Sequence, residues 1–379
     1  MSEEKYLAQC SQLLDGILPE GGIGADDTLN RTFNFVSANL LNFLPEIEAD
    51  AHEQFFKDLL YHQKLSALDS NHPALVQALQ LEGEFQQAMQ LMQQGPCIIC
   101  TFHMGSNRLL NHFLAYHQVP FAIVMANHIA SGEGDGFQEM FAGVYQQQGG
   151  ESLTLIEAQK PDAALKMLRE LKKGKSLLVY IDGNTGAGDD SFRNENRCKI
   201  DFLGGSIYAR SGVCYLAHLA NVPVVTAVCY RQATNDIRLR FGSPVYPDIQ
   251  QNRRAYATAA TQAIYNFFTP LLKRYPEQWE CWMYLHRNVD CNSMVAVDSA
   301  PQPGQPATGS FQLNKSRFGF FNIGEELYLF NKKTYTSYRV NHDIYQLLYT
   351  SFSKPVHSET VNTRVFEQLY ANRVFVQAS

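Results

Sequence analysis

From Pro96 onward, short apolar runs alternate with stretches of helical period, and this alternation limits the fold more than any other feature of the chain. CIICTF (97–102), PFAIVMA (120–126), SLLVYID (176–182) and VPVVTAVCY (222–230) are apolar at consecutive positions. Consecutive apolar residues suit strands covered on both faces, which predicts an α/β fold: a mainly parallel sheet flanked by helices. ESLTLIEA, KIDFLGG and DIRLRFG read as further strands. Helices are expected over 106–117, Phe137 to Gln147, Ala209 to Ala220 and Arg253 to Lys273. DAALKMLRELKKG adds another, with Pro161 before it, a basic last turn and Gly174 as its stop.

The flanks differ in character. Residues 1–95 read as a helical N-terminal region, with apolar spacings of three and four in Asn30 to Phe43 and Ala51 to Leu68. LVQALQLEGEFQQAMQLMQQG reads as an amphipathic helix ending at Gly95. Nothing in this region looks chemical. The α/β core is expected over 96–290. Residues 291–312, CNSMVAVDSAPQPGQPATGSFQ, lose all period and read as a linker. Residues 313–379 then give three short strands (FGFFNIGEELYLFNKKTYTSYRV), two helices and an extended tail, a small α+β domain.

Composition removes several function classes. The 379 residues are 45% hydrophobic and 18% charged with a net charge of −6, so no basic excess points to nucleic acid. Lys172, Lys173 and Lys175, and separately Arg193, Arg197 and Lys199, form only local clusters. Eight cysteines lie mostly in apolar contexts. Cys97-x-x-Cys100 has no second pair at metal spacing, and a separation of three inside a strand sends the two side chains to opposite faces. Both read as core residues of a reduced, cytoplasmic protein, and no metal is expected. MSEEKYLAQC is acidic and lacks the apolar core of a signal peptide, and no window suits a membrane span, so membrane contact is expected to be peripheral at most.

The chemistry is expected where strands end. In open α/β sheets ligands bind beyond the carboxyl ends of the strands. His103 follows CIICTF, and a histidine there is a candidate general base. Asp182 closes SLLVYID and precedes the Gly-rich loop GNTGAG.

Four segments in order carry a resemblance: His103; YIDGNTG with Asp182; IDFLGGSIYARSGVCYLAHLANVPVVTAV; and YPEQWECWMYLHR at 275–287. Over roughly residues 90–290 the chain resembles the lipid A late acyltransferase family, a branch of the lysophospholipid acyltransferase superfamily. The resemblance implies an acyltransferase drawing on an acyl-carrier-protein or coenzyme A thioester, with no further cofactor and with an acyl-carrier protein as partner. It implies His103 as the base and Asp182 as a supporting site residue. It also implies an acid after four residues beyond the histidine, and here that position is Arg108. A guanidinium cannot accept an imidazole N–H, and its charge lowers the pKa of a nearby histidine. Asp182 and Glu133 are the candidate replacements; His128 and Glu133 repeat the same gap in a polar loop. Asn107, Arg108, Arg210 (in the expected helix start) and Glu133 are the candidate substrate-binding residues, the arginines meeting anionic groups of donor or acceptor. His286 and Arg287 are expected to brace the fold.

The stretch where the family meets a phosphorylated glycolipid reads MANHIASGEG here. The acceptor is therefore expected not to be lipid A precursor but a peptide or another specialised-metabolite intermediate. Two rivals stand beside transfer: a catalytically inert adaptor that binds a carrier protein, lipid or peptide, and a thioester hydrolase or condensing enzyme on the same fold. Residues 313–379, centred on LYLFNKKTYTSYRVNHDIYQLLYTSF, resemble the small peptide-binding winged-helix domain of pyrroloquinoline-quinone biosynthesis and the related leader-recognition elements of modified peptides. That resemblance implies a peptide added as a strand to a sheet edge.

Overall fold

The computed structural model describes residues 3–125, 153–183, 196–291 and 308–378. The loop 127–136 with His128 and Glu133, the expected helix 137–147, most of the Gly-rich loop with Arg193, and most of the linker lie outside the described residues.

In chain order, helices α1 (Glu3–Gln12), α2 (Asp27–Phe43) and α3 (His52–Ser70) come first. Strand β1 (Gln80–Gly83) and helix α4 (Phe85–Gln94) lead to β2 (Ile98–Thr101), α5 (Leu109–Tyr116) and β3 (Phe121–Met125). Next are β4 (Thr154–Glu157), α6 (Ala163–Lys172), β5 (Ser176–Tyr180), β6 (Arg197–Phe202) and β7 (Gly205–Arg210). Helix α7 (Gly212–Ala220), β8 (Val224–Ala233), β9 (Asp236–Phe241) and α8 (Arg253–Arg274) follow. The C-terminal part holds β10 (Ser310–Leu313), β11 (Phe318–Ile323), β12 (Glu326–Asn331), β13 (Thr336–Val340), α9 (His342–Ser353), β14 (Val356–His357), α10 (Thr363–Ala371) and β15 (Phe375–Gln377). Side-chain oxygens of Asp26, Asn252, Asn341 and Asn362 accept from the first free backbone amides of α2, α8, α9 and α10. Those caps satisfy donors that a helix start leaves open.

The chain divides into two compact units, Met1–Ile17 with Lys57–Cys281, and Leu18–Phe56 with Trp282–Ser379. The first contains a seven-stranded sheet in the order β1-β9-β8-β2-β5-β3-β4, parallel throughout except for the antiparallel β8–β9 pair. This is the expected α/β class. β2 lies at its centre and is wholly buried, and Cys97 and Cys100 are both core residues. One face is filled by Leu110, Phe113 and Leu114 of α5 against Ile99, Leu178 and Val225.

Two local expectations are corrected. The stretch 75–95 is not one helix. Gln80–Gly83 pairs with β9, and Gly83 ends the strand at a φ of +68, where an added Cβ would collide with the Phe241 carbonyl. Only the neighbouring strand makes that segment extended, so its own helical period misleads. Likewise α7 begins at Gly212, not Ala209. Residues 205–210 instead pair antiparallel with 197–202 across a turn in which Leu203 and Gly204 both have positive φ (49° and 80°), the tight geometry that suits a two-residue hairpin. Arg210 is therefore a strand end opposite Arg197, not a helix start.

In the second unit β11, β12 and β13 form an antiparallel sheet, and β10 lies between β14 and β15 in another. Phe311, Leu313, Phe318, Leu348, Phe366 and Phe375 fill the core between these strands and helices. Helix α2 belongs here: the Asn30 amide donates to the Phe320 carbonyl at 3.1 Å and that of Asn42 to the Lys332 carbonyl at 2.9 Å. His286 stacks on Phe35 with ring centres 3.9 Å apart, and burial lowers its pKa to about 3, so it is a neutral packing ring. Among the described residues, no helix is long and apolar enough to cross a membrane.

Candidate functional site

Sheet register builds the site. In the parallel pair β2–β5, Thr101 stands opposite Tyr180. Two residues further along each chain are His103 and Asp182, so the register alone brings them side by side. Phe102 stacks flat on Phe268 at 3.8 Å and fixes the exit of β2. His103 Nδ1 lies 2.7 Å from Asp182 Oδ1, and the His103 backbone N–H donates to Asp182 Oδ2 at 2.9 Å. With Nδ1 donating to the carboxylate, Nε2 is the nitrogen left to take a proton.

Asp182 is a saturated acceptor. Besides His103 it receives the Trp279 indole N–H at 2.8 Å and the Cys281 thiol at 3.1 Å, both on Oδ2. Its side chain is 2% exposed, whereas that of His103 is 25% exposed. Burial pushes the Asp182 carboxyl up, but the His103 charge and the hydrogen bonds from His103, Trp279 and Cys281 outweigh it, and the net direction is below the ordinary value. For His103, burial pulls down; the Asp182 charge and hydrogen bond, helped by Glu280, outweigh both burial and the smaller opposing charge of Arg108. The net direction is up. Arg108 therefore acts as expected in sign, and Asp182 overrides it.

The loop after His103 is held by the segment 278–280. Gly105 N–H donates to the Gln278 carbonyl and Glu280 N–H to the His103 carbonyl, each at 2.9 Å. Gly105 sits at a φ of +53 with Tyr230 Cα 2.8 Å from where a Cβ would be, so no other residue fits. The Gln278 side chain both accepts from and donates to the Arg231 backbone, at 2.8 and 2.7 Å. On the far side, Ser106 Oγ donates to Asp69 Oδ2 at 2.5 Å; the same carboxylate takes Tyr6 OH and Arg231 Nη2, each at 2.6 Å.

Asn107 is buried; its amide donates to Ser66 Oγ and to the Gly105 carbonyl, and its own carbonyl accepts from Tyr180 OH. Arg108 is half-buried at the start of α5. Arg210 is half-buried on the β6–β7 hairpin. Thus His103, Asp182 and Asn107 come together, Arg108 reaches His103 through its charge, and Glu133 lies outside the described residues.

A small opening lies at His103, Gly105, Asn107, Gln278 and Glu280, and its other wall is Leu59, His62, Gln63 and Ser66 of α3. The α3 wall was not legible as chemistry, because its polar residues share the period of an ordinary amphipathic helix. Trp279 and Cys281 were likewise missed as partners of Asp182; they lie in a run of short 3-10 turns, where residue spacing gives no simple facing rule. One donor atom from each of His103, Asp182 and Cys281 lies within 4.8 Å of the others, a grouping not expected from the sequence. Asp182 already accepts four hydrogen bonds, so a cation would have to displace them. The arrangement suits a hydrogen-bonded base, with the carboxylate fixing the imidazole's orientation and tautomer.

Residues 78–289 match the family model described as bacterial lipid A biosynthesis acyltransferase. No curated protein matches the chain.

Proposed function

The chain belongs to the bacterial lipid A biosynthesis acyltransferase family, and from that premise we propose that it moves an acyl group from a carrier-protein or coenzyme A thioester to an acceptor other than lipid A precursor. The reading rests on one observation, the 2.7 Å hydrogen bond between His103 and a buried Asp182. His103 Nε2 removes the proton of an acceptor hydroxyl or amine as that atom bonds to the thioester carbonyl carbon. The C–S bond then breaks, and the thiolate leaves with the proton returned by His103. Asp182 stays ionised throughout and holds the imidazolium that forms. Arg108 and Arg210 meet the anionic groups of the donor. The protein works in the cytoplasm, a reading supported by eight cysteines without a disulfide.

The acceptor is a peptide or a specialised-metabolite intermediate, recruited by residues 313–379. Support comes from β13: it pairs with β12 alone, so among the described residues its outer edge has no strand, and Tyr338 on it is 49% exposed. An extended peptide can add to such an edge through backbone hydrogen bonds.

The test is intact mass spectrometry of purified protein with coenzyme A and carrier-protein thioesters and a leader-bearing peptide encoded beside its gene. One acyl mass gained by the peptide, and lost with His103→Ala, is the expected result. Full turnover by His103→Ala would remove the base assignment. Free fatty acid without acylated peptide would replace transfer by hydrolysis.

A further inference from the structure

His62 takes no part in the mechanism above, yet it lines the same cavity as His103. It is placed there by helix geometry: Leu59, His62, Gln63 and Ser66 fall at i, i+3, i+4 and i+7, one face of α3. Its Nδ1 is enclosed and has no hydrogen-bond partner. A buried N–H without an acceptor is costlier than a bare lone pair, so the neutral ring carries its proton on Nε2.

Attack on a thioester puts negative charge on the carbonyl oxygen, and donors aimed at that oxygen supply much of the rate. Three backbone amides beside His103 are already committed elsewhere. The amides of His103, Met104 and Gly105 already donate to Asp182, the Phe102 carbonyl and the Gln278 carbonyl. The Asn107 side-chain amide is also spent, on Ser66 and Gly105, and that of Gln278 is turned to the Arg231 carbonyl with one of its N–H groups. Of the lining side chains that donate, His62, Gln63 and Ser66 remain. Gln63 is exposed, the Ser66 hydroxyl accepts from Asn107 and keeps its own O–H, and His62 is the ring donor among them.

We infer that His62 is a second catalytic histidine, a neutral imidazole that donates from Nε2 to the carbonyl oxygen of the acyl thioester while His103 acts as base. The inference rests on the proposed transfer reaction and names the group that holds its oxyanion. Burial first, and then the positive charge of Arg231, lower the His62 pKa to about 4, with Asp69 opposing in part. The ring therefore stays uncharged when His103 becomes an imidazolium, and the two do not repel. A neutral imidazole is a suitable electrophile for a carbonyl for this reason.

The test compares wild type, His62→Phe and His62→Gln with octanoyl- and palmitoyl-thioesters of coenzyme A and of a carrier protein in the presence of the leader-bearing peptide, reading thiol release. His62→Phe keeps the ring volume and is expected to lower kcat about 100-fold with KM little changed and the acid limb set by His103 unmoved. His62→Gln, which restores an N–H, recovers about tenfold of that. Nitrogen-15 imidazole spectra of the full wild-type chain should show His62 neutral and Nε2-protonated at pH 6. An active wild type with undiminished kcat in His62→Phe overturns the inference and leaves the transfer reading standing. Equal losses in both variants, with lowered Tm, make His62 a packing residue and overturn it too, as does a charged His62 at pH 6. A wild type that releases no thiol from any donor overturns the transfer reading, and this inference with it.

Discussion

The loop after His103 is held between two buried carboxylates that do opposite things. Asp182, on one side, spends its acceptors on His103, Trp279 and Cys281. Asp69, on the other, spends them on Tyr6, Ser106 and Arg231, and the Arg231 and Asp69 side chains are only 3% and 1% exposed. Both are buried anions that would be costly without partners. The difference is the cation. Arg231 is always charged, so its pair is a fixed strut under Ser106. His103 is an imidazole whose pKa Asp182 raises, and it is partly open to the cavity, so its pair can take up and return a proton. A buried carboxylate becomes chemical when its partner is a group that can change charge.

Removing the switchable pair should have the largest effect on rate. Asp182→Asn is expected to cut kcat about 10³–10⁴-fold, because the amide no longer fixes the His103 tautomer. Its pH profile should also move. In the wild type the base must be neutral, so kcat/KM is expected to rise with pH through a value above the usual histidine pKa of 6.5, since Asp182 raises it. In Asp182→Asn that limb should shift to lower pH. A limb that stays in place would show that His103 is not the titrating group.

Breaking the strut should act on stability instead. Asp69→Ala leaves Arg231 buried without its anion and is expected to cost about 3–5 kcal/mol, read by urea unfolding. The acid limb of the residual activity should remain at its wild-type position. A shifted limb would merge the two carboxylates into one network and end the contrast.

The linkage to pH separates them further. The Asp182 carboxyl has a lowered pKa, so its share of stability is present above the unfolded carboxylate value and lost as pH falls through the depressed folded value. His103 has a raised pKa, so its share is present below the unfolded value of 6.5 and lost as pH rises through the folded one. Unfolding measured against pH should therefore weaken on both flanks in the wild type, and the alkaline flank should flatten in His103→Ala.

The smallest effects test the donors behind Asp182. Trp279→Phe removes one charge-assisted hydrogen bond, and about tenfold in kcat is expected, the equivalent of the lower end of the ~1.5–3 kcal/mol for bonds to charged groups. Less screened by donors, the carboxylate should hold the His103 proton more tightly, moving the limb up. Cys281→Ala, losing a weak thiol donor, should change kcat less than Trp279→Phe; a larger loss would give the thiol a role of its own.

The sequence by itself determined the apolar strands, the parallel core and the two strand ends that carry His103 and Asp182, because burial on both faces and turn chemistry are written in local residue order. It could not determine that the two residues touch. That depends on the register of β2 against β5, a contact between segments 79 positions apart. The missing acid at position 108 left Asp182 and Glu133 as alternatives for the same reason: local spacing shows which residue fails to supply the carboxylate, and the sheet register brings Asp182 to His103. Strand β1 and the end of β7 were misread as helix where a neighbouring strand overrode helical period, since an edge pairing is set by its partner. The α3 wall of the cavity was silent because a helix that lines a site and a helix that covers a core share one amphipathic pattern. Which face meets the cavity is decided by packing, and packing exists only in the folded chain.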